Sequence, residues 1–103
     1  MAEYWETHNF KSHRSGDTFK GKSFTFSAHP ASDINKVELI THAGQKLSSD
    51  DGGITITDVA AWAFTIEKQI ISWPPMTYKY DLVITMANGD VRTYIKGSWQ
   101  IVN

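Results

Sequence analysis

WPPMTYKYDLVITMANGDVRTYIKGSWQIVN, residues 73–103, reads as one β-hairpin with its entry corner and its exit strand. Tyr78, Tyr80, Leu82, Ile84 and Met86 alternate with Lys79, Asp81, Val83 and Thr85, a period of two that sends every second side chain to the same face of a strand. Asn88-Gly89 then offers two residues that tolerate positive φ. A tight primed turn is therefore expected to join this strand to a second over residues 91–95. Trp73, Pro74 and Pro75 form the corner before the hairpin, because proline fixes φ and pushes its predecessor to an extended conformation.

Working back from the hairpin, the same punctuation recurs. Residues 70–73 and 54–57 are expected as short strands, the latter rich in alternating β-branched residues. Residues 59–66 have alanines that permit helix, yet Trp62, Phe64 and Ile66 alternate and the segment is short, so a strand is expected there. Residues 48–53, SSDDGG, form a turn. Residues 36–41 and 46–47 pair as a second hairpin through Ala43-Gly44-Gln45. Residues 28–35 carry turn signals, with a short helical turn from Ser32 as an alternative. Phe24 and Phe26 mark a strand over 18–26 with a bulge at Gly21. Residues 4–10 alternate weakly, and the polar stretch 11–17 separates them from that strand, so residues 1–15 are expected as an arm or an edge strand. The total is about seven to eight short strands in a single domain over residues 1–103, the pattern of an all-β, immunoglobulin-like antiparallel sandwich.

Composition narrows the function classes. The chain is 41% hydrophobic and 13% aromatic, enough apolar surface for one core. Ten Lys and Arg are interspersed with eleven Asp and Glu, with no basic stripe of the kind phosphate backbones demand, so nucleic acid is not expected as a partner. Cysteine is absent, which removes disulfides, thiolate nucleophiles and cysteine-based zinc sites. No segment has the roughly 20 apolar residues of a membrane-spanning helix, and the N-terminus lacks a secretory pattern. A soluble product made in a cytoplasm, without a membrane partner, is expected.

The chemical motifs are weak when weighed one by one. Residues 16–23, GDTFKGKS, match the spacing G-x-x-x-x-G-K-[ST], but a phosphate loop needs a buried strand before it and a helix after it, and the flanks read as polar segment and strand. His8 and His13, near Asp17, have the residue types of a metal site without a ligand spacing. His29 and His42 read as solvated loop residues. Asp50, Asp51 and Asp58 resemble a calcium loop in composition alone, and an acidic turn explains them more simply. No nucleophile–base arrangement is visible, so no catalytic residue, cofactor or metal is expected. Tyr78 or Tyr80 could return its hydroxyl to the upstream backbone as a tyrosine corner, or both could be plain core residues. Tyr4, Trp5, Trp62, Trp73 and Trp99 could form a sugar-stacking platform; the competing reading places Trp62 and Trp73 in the core. Tyr4 and Trp5, with Phe10, precede the clear strands and are expected to dock against the domain or a partner.

Taken together, Gly16-Asp17-Thr18, Trp73-Pro74, Tyr78-Lys79-Tyr80-Asp81, Asn88-Gly89-Asp90 and Gly97 resemble the N-terminal β-sandwich domain of the upper baseplate proteins of tailed bacteriophages, from Gly16 onward. Pro75-Met76 stands where that family has a glycine after the corner. The resemblance implies a non-enzymatic structural protein of the virion, in tail or baseplate, that binds other virion proteins and itself in symmetric oligomers. It is expected either as a free-standing small virion protein or as a domain of a larger one. Rival classes are a carbohydrate-binding sandwich module and a small phage inhibitor that binds a host protein.

Overall fold

The computed structural model describes residues 6–26 and 31–103. These residues are all-β: β1 (Glu6–Thr7), β2 (Phe10–Arg14), β3 (Thr18–Phe19), β4 (Lys22–Thr25), β5 (Ile34–Thr41), β6 (Lys46–Ser48), β7 (Ile54–Asp58), β8 (Ala63–Ile66), β9 (Gln69–Ile70), β10 (Met76–Met86) and β11 (Val91–Val102). Three of the eleven segments, β1, β3 and β9, are two residues long, and the eleven exceed the seven to eight strands expected.

The strand β10 follows its alternation: Tyr78, Tyr80, Leu82, Ile84 and Met86 are at most 1% exposed, while the residues between them face outward. It pairs antiparallel with β11 on one side and β5 on the other, and β6 lies beyond β5. The segment β1–β2 closes the far edge of β11 in parallel, with Glu6 opposite Ile95 and Phe10 opposite Trp99. The large sheet therefore runs β1/β2-β11-β10-β5-β6. Facing it are a sheet of order β4-β8-β7 and the short pair β3-β9. The core between the layers joins Val37, Leu39, Leu82, Ile84, Trp99 and Ile101 of the large sheet to Ile54, Trp62, Phe64, Ile66 and Ile71 of the other layer. Each such buried side chain contributes about 1.5–3 kcal/mol of transfer free energy.

A bulge joins the layers further. Leu82 pairs with Ile95 and Val83 with Thr93, which leaves Tyr94 as the extra residue of β11. The Tyr94 ring lies 5.1 Å from Trp62 and 5.5 Å from Phe26.

Several expectations are corrected. The β10–β11 turn is not a two-residue primed turn. Gly89 N–H donates to the Met86 carbonyl at 2.9 Å and Met86 N–H to the Asp90 carbonyl at 2.8 Å, so the loop is Ala87-Asn88-Gly89. Gly89 alone takes positive φ, at 94°, because the Asn88 carboxamide accepts the Asp90 N–H at 2.9 Å and holds Asn88 in a right-handed conformation. The β5–β6 loop, His42-Ala43-Gly44, repeats the pattern, with Thr41 N–H on the Gln45 carbonyl at 2.9 Å and Gly44 at φ 103°.

Residues 59–62 form a turn rather than the first half of a strand. The Asp58 carboxylate accepts the N–H groups of Ala60 and Ala61 at 3.1 and 3.0 Å, and Trp62 leaves the turn at φ 57° with its indole N–H on the Ser32 carbonyl at 2.8 Å. Of residues 1–15, expected as an arm or an edge strand, Phe10–Arg14 form the edge strand β2, since its ladder partner β11 satisfies the backbone whatever the side chains are. Residues 71–73 lie outside any strand, and β9 sits one residue earlier than expected. Ser32 and Asp33 lead directly into β5 without a helical turn.

Candidate interaction cleft

The N-terminal segment is built into the sheet by an interrupted ladder. His8 N–H donates to the Lys96 carbonyl at 3.0 Å. The His8 carbonyl then turns inward, where the Tyr80 hydroxyl donates to it at 2.5 Å. Gly97 makes room for this turn: a Cβ there would overlap the His8 carbonyl. The Asn9 carboxamide oxygen takes the vacated place in the ladder, accepting Ser98 N–H at 3.0 Å and the Ser98 hydroxyl at 3.2 Å. Phe10 resumes the strand with its ring stacked on Trp99, centroids 4.3 Å apart. Beyond it, the Ser12 hydroxyl donates to the Gln100 side-chain carbonyl at 3.0 Å and Ser15 to the Trp73 carbonyl at 2.8 Å.

The other flank of β2 is unpaired among the described residues, as is the edge of β4 turned away from β8. Between these edges lies a cleft of about 330 Å³ whose walls include His8, Phe10, Lys11, His13, Phe19, Lys22 and Trp99. Phe19 meets Phe10 and Trp99 edge-on at 5.8 and 5.0 Å, and His8 meets Phe10 at 4.7 Å, so aromatic rings form the floor. Lys11 and Lys22 stand at the rim, and no carboxylate lines the cleft among the described residues. Burial, and then the Lys22 charge, hold the His8 imidazole below its usual pKa. The His13 Nε2 donates to the Asp17 carbonyl at 2.9 Å, which ties the β2 end to the turn beyond it.

The remaining candidate residues have separate places. Tyr78 makes the corner bond, its hydroxyl donating to the Pro74 carbonyl at 2.6 Å; Tyr80 serves the His8 carbonyl instead. Trp73 is half-buried, 5.3 Å from Tyr78 and 5.4 Å from Trp99. Trp62 and Trp99 are at most 1% exposed, so neither ring face is open to a sugar. Tyr4, Trp5 and His29 lie outside the described residues. His42 is exposed and pairs with Asp81 at 3.4 Å. The three turn aspartates have distinct tasks: Asp51 accepts Gly53 N–H at 2.9 Å, Asp58 caps its turn, and Asp50 pairs with Lys36 at 3.3 Å. Among the described residues, no three His, Asp or Glu side chains gather as metal ligands. The phosphate-loop spacing falls on a turn and two strands, with the Gly16 and Asp17 N–H groups held by the Ile71 and Arg14 carbonyls at 2.8 and 3.0 Å.

Sequence reasoning missed Asn9 and Phe19. Asparagine is depleted in strands, so its place inside the weakly alternating stretch 4–10 is the signal of a ladder interruption. Phe19 stands alone before Gly21 and gives no comparable signal. The fold defines an all-β, sandwich-like domain. No family model, curated protein or solved structure matched the chain.

Proposed function

We propose that this chain is a non-enzymatic structural module of a tailed-bacteriophage virion, of immunoglobulin-like topology, that works by protein–protein assembly in the tail or baseplate. The observation that carries the reading is the use made of the residues behind the resemblance. Tyr78 bonds the corner, Tyr80 reaches the N-terminal segment over Gly97, and Gly89 shapes the hairpin. All three tasks are architectural, and together they present a rigid sandwich with an aromatic, cation-rimmed cleft at its edge.

The topology supports the immunoglobulin-like part. The order β11-β10-β5-β6 in one layer and β4-β8-β7 in the other corresponds to G-F-C-C′ and B-E-D of a variable-type sandwich, and the Tyr78–Pro74 bond sits where such sandwiches carry their tyrosine corner. Symmetry multiplies one modest interface into a firm assembly. Burial of Trp62 and Trp99 weighs against the sugar-binding alternative.

The test is immunogold labelling and mass spectrometry of purified tailed particles made from the genome that encodes the chain. Label confined to tail or baseplate supports the proposal. Particles that lack the chain would end it.

A further inference from the structure

We propose that the cleft receives the Glu3-Tyr4-Trp5 segment of a second copy of this chain, so that copies associate head to tail. This rests on the assembly reading above and names its contact. The cleft has an aromatic floor of Phe10 and Phe19 backed by the buried Trp99, a rim of Lys11 and Lys22, and no lining carboxylate among the described residues. Such a surface complements a segment that carries large rings beside a negative charge, and the sequence places Glu3, Tyr4 and Trp5 together ahead of β1. Its volume, about 330 Å³, is at the small end of ligand-sized clefts and suits a few side chains rather than a domain face.

Backbone geometry points the same way. β2 lines the cleft and its outer flank lacks a strand partner among the described residues, so an extended segment laid along it gains main-chain hydrogen bonds as its rings reach the floor. β1 begins at Glu6, opposite Ile95, and among the described residues the chain first lines the cleft at His8. The contact is heterologous, and it gives a ring where the rotation closes.

The experiment is sedimentation velocity on the full chain from about 1 μM to 1 mM, with Trp5→Ala as a donor-deficient variant and Lys22→Glu as an acceptor-deficient one. Wild type is expected to associate as concentration rises, and each variant alone to associate at least about thirtyfold more weakly, as for loss of an interface anchor. An equimolar mixture is expected to form a 1:1 dimer that grows no further, because it holds one intact segment and one intact cleft. Lys22 is exposed, so Lys22→Glu is expected to melt with wild type; Lys11→Glu replaces it if it does not. Wild-type assembly retained in both variants, or a mixture that stays monomeric, overturns the inference and leaves the virion reading standing. A wild type that stays monomeric to 1 mM also overturns it, whereas the fate of the virion reading is decided by the particle labelling.

Discussion

The Tyr80 hydroxyl donates to the His8 carbonyl at 2.5 Å across a sequence separation of 72 residues. Gly97 lies between them as the opposite neighbour of Tyr80, and its missing side chain is the passage through which the two groups meet. Burial pushes the Tyr80 phenol well above its usual range, so it remains a donor at any pH the protein meets. One strand of the large sheet is thus held by a side chain from two strands away, and the Asn9 carboxamide repairs the gap this leaves in the ladder.

Gly97→Ala is therefore expected to expel the His8 carbonyl. Backbone rather than a flexible side chain occupies the space, so the cost is about 1–3 kcal/mol, as for overpacking of a closed site. Deuterium uptake should rise over β1–β2 while the central strands β5 and β10 stay slow. Unchanged uptake in β1–β2 would refute the account.

Tyr80→Phe and Tyr78→Phe remove the same atom with different results. The Tyr80 variant leaves a carbonyl turned out of the ladder without its donor, costing about 1–3 kcal/mol, and it loosens β1–β2. The Tyr78 variant loses a local bond to Pro74, a solvent-exposed residue, and costs about 1 kcal/mol with no change in β1–β2 exchange. Denaturant melts with hydrogen exchange separate the two; equal loosening of β1–β2 in both would contradict the assignment.

The hairpin was legible because Tyr78, Tyr80, Leu82, Ile84 and Met86 report on a single physical constraint, the burial of one strand face. Residues 59–62 were not, since Ala60, Ala61 and Trp62 look apolar and periodic while a single Asp58 carboxylate decides their conformation. β2 showed only as part of an arm or an edge strand, for the opposite reason. Its residues Lys11, Ser12 and Arg14 carry no apolar period, and a parallel partner some ninety positions along the chain supplies its order. Of the cleft, Phe10 was recognisable as an aromatic outside the clear strands, whereas Phe19 and Lys22 join it only through the packing of the two layers.

His8 gives a pH signature. Its folded pKa is below the ordinary histidine value of 6.5, so the unfolded chain binds the proton first as pH falls. The contribution of this group is fully present above pH 6.5 and is lost as pH drops below it. Thermal midpoints of wild type should fall more steeply from pH 7.5 to 5 than those of His8→Gln. Parallel curves for the two proteins would show that the imidazole makes no such contribution.

Asn88→Gly distinguishes the observed hairpin loop from the one its dipeptide suggests. In a two-residue primed turn both central residues take positive φ, and glycine in place of Asn88 would be neutral or favourable. In the three-residue loop Asn88 keeps negative φ and its carboxamide accepts the Asp90 N–H. Glycine there loses that bond and adds backbone freedom to the unfolded chain, so the variant should be destabilised by about 0.5–1 kcal/mol. Gly89→Ala should cost about 1–2 kcal/mol from left-handed strain alone, because nothing lies within 4 Å of the added methyl. Urea melts of both variants measure the pair. A more stable Asn88→Gly would mean that the loop is the shorter, primed kind.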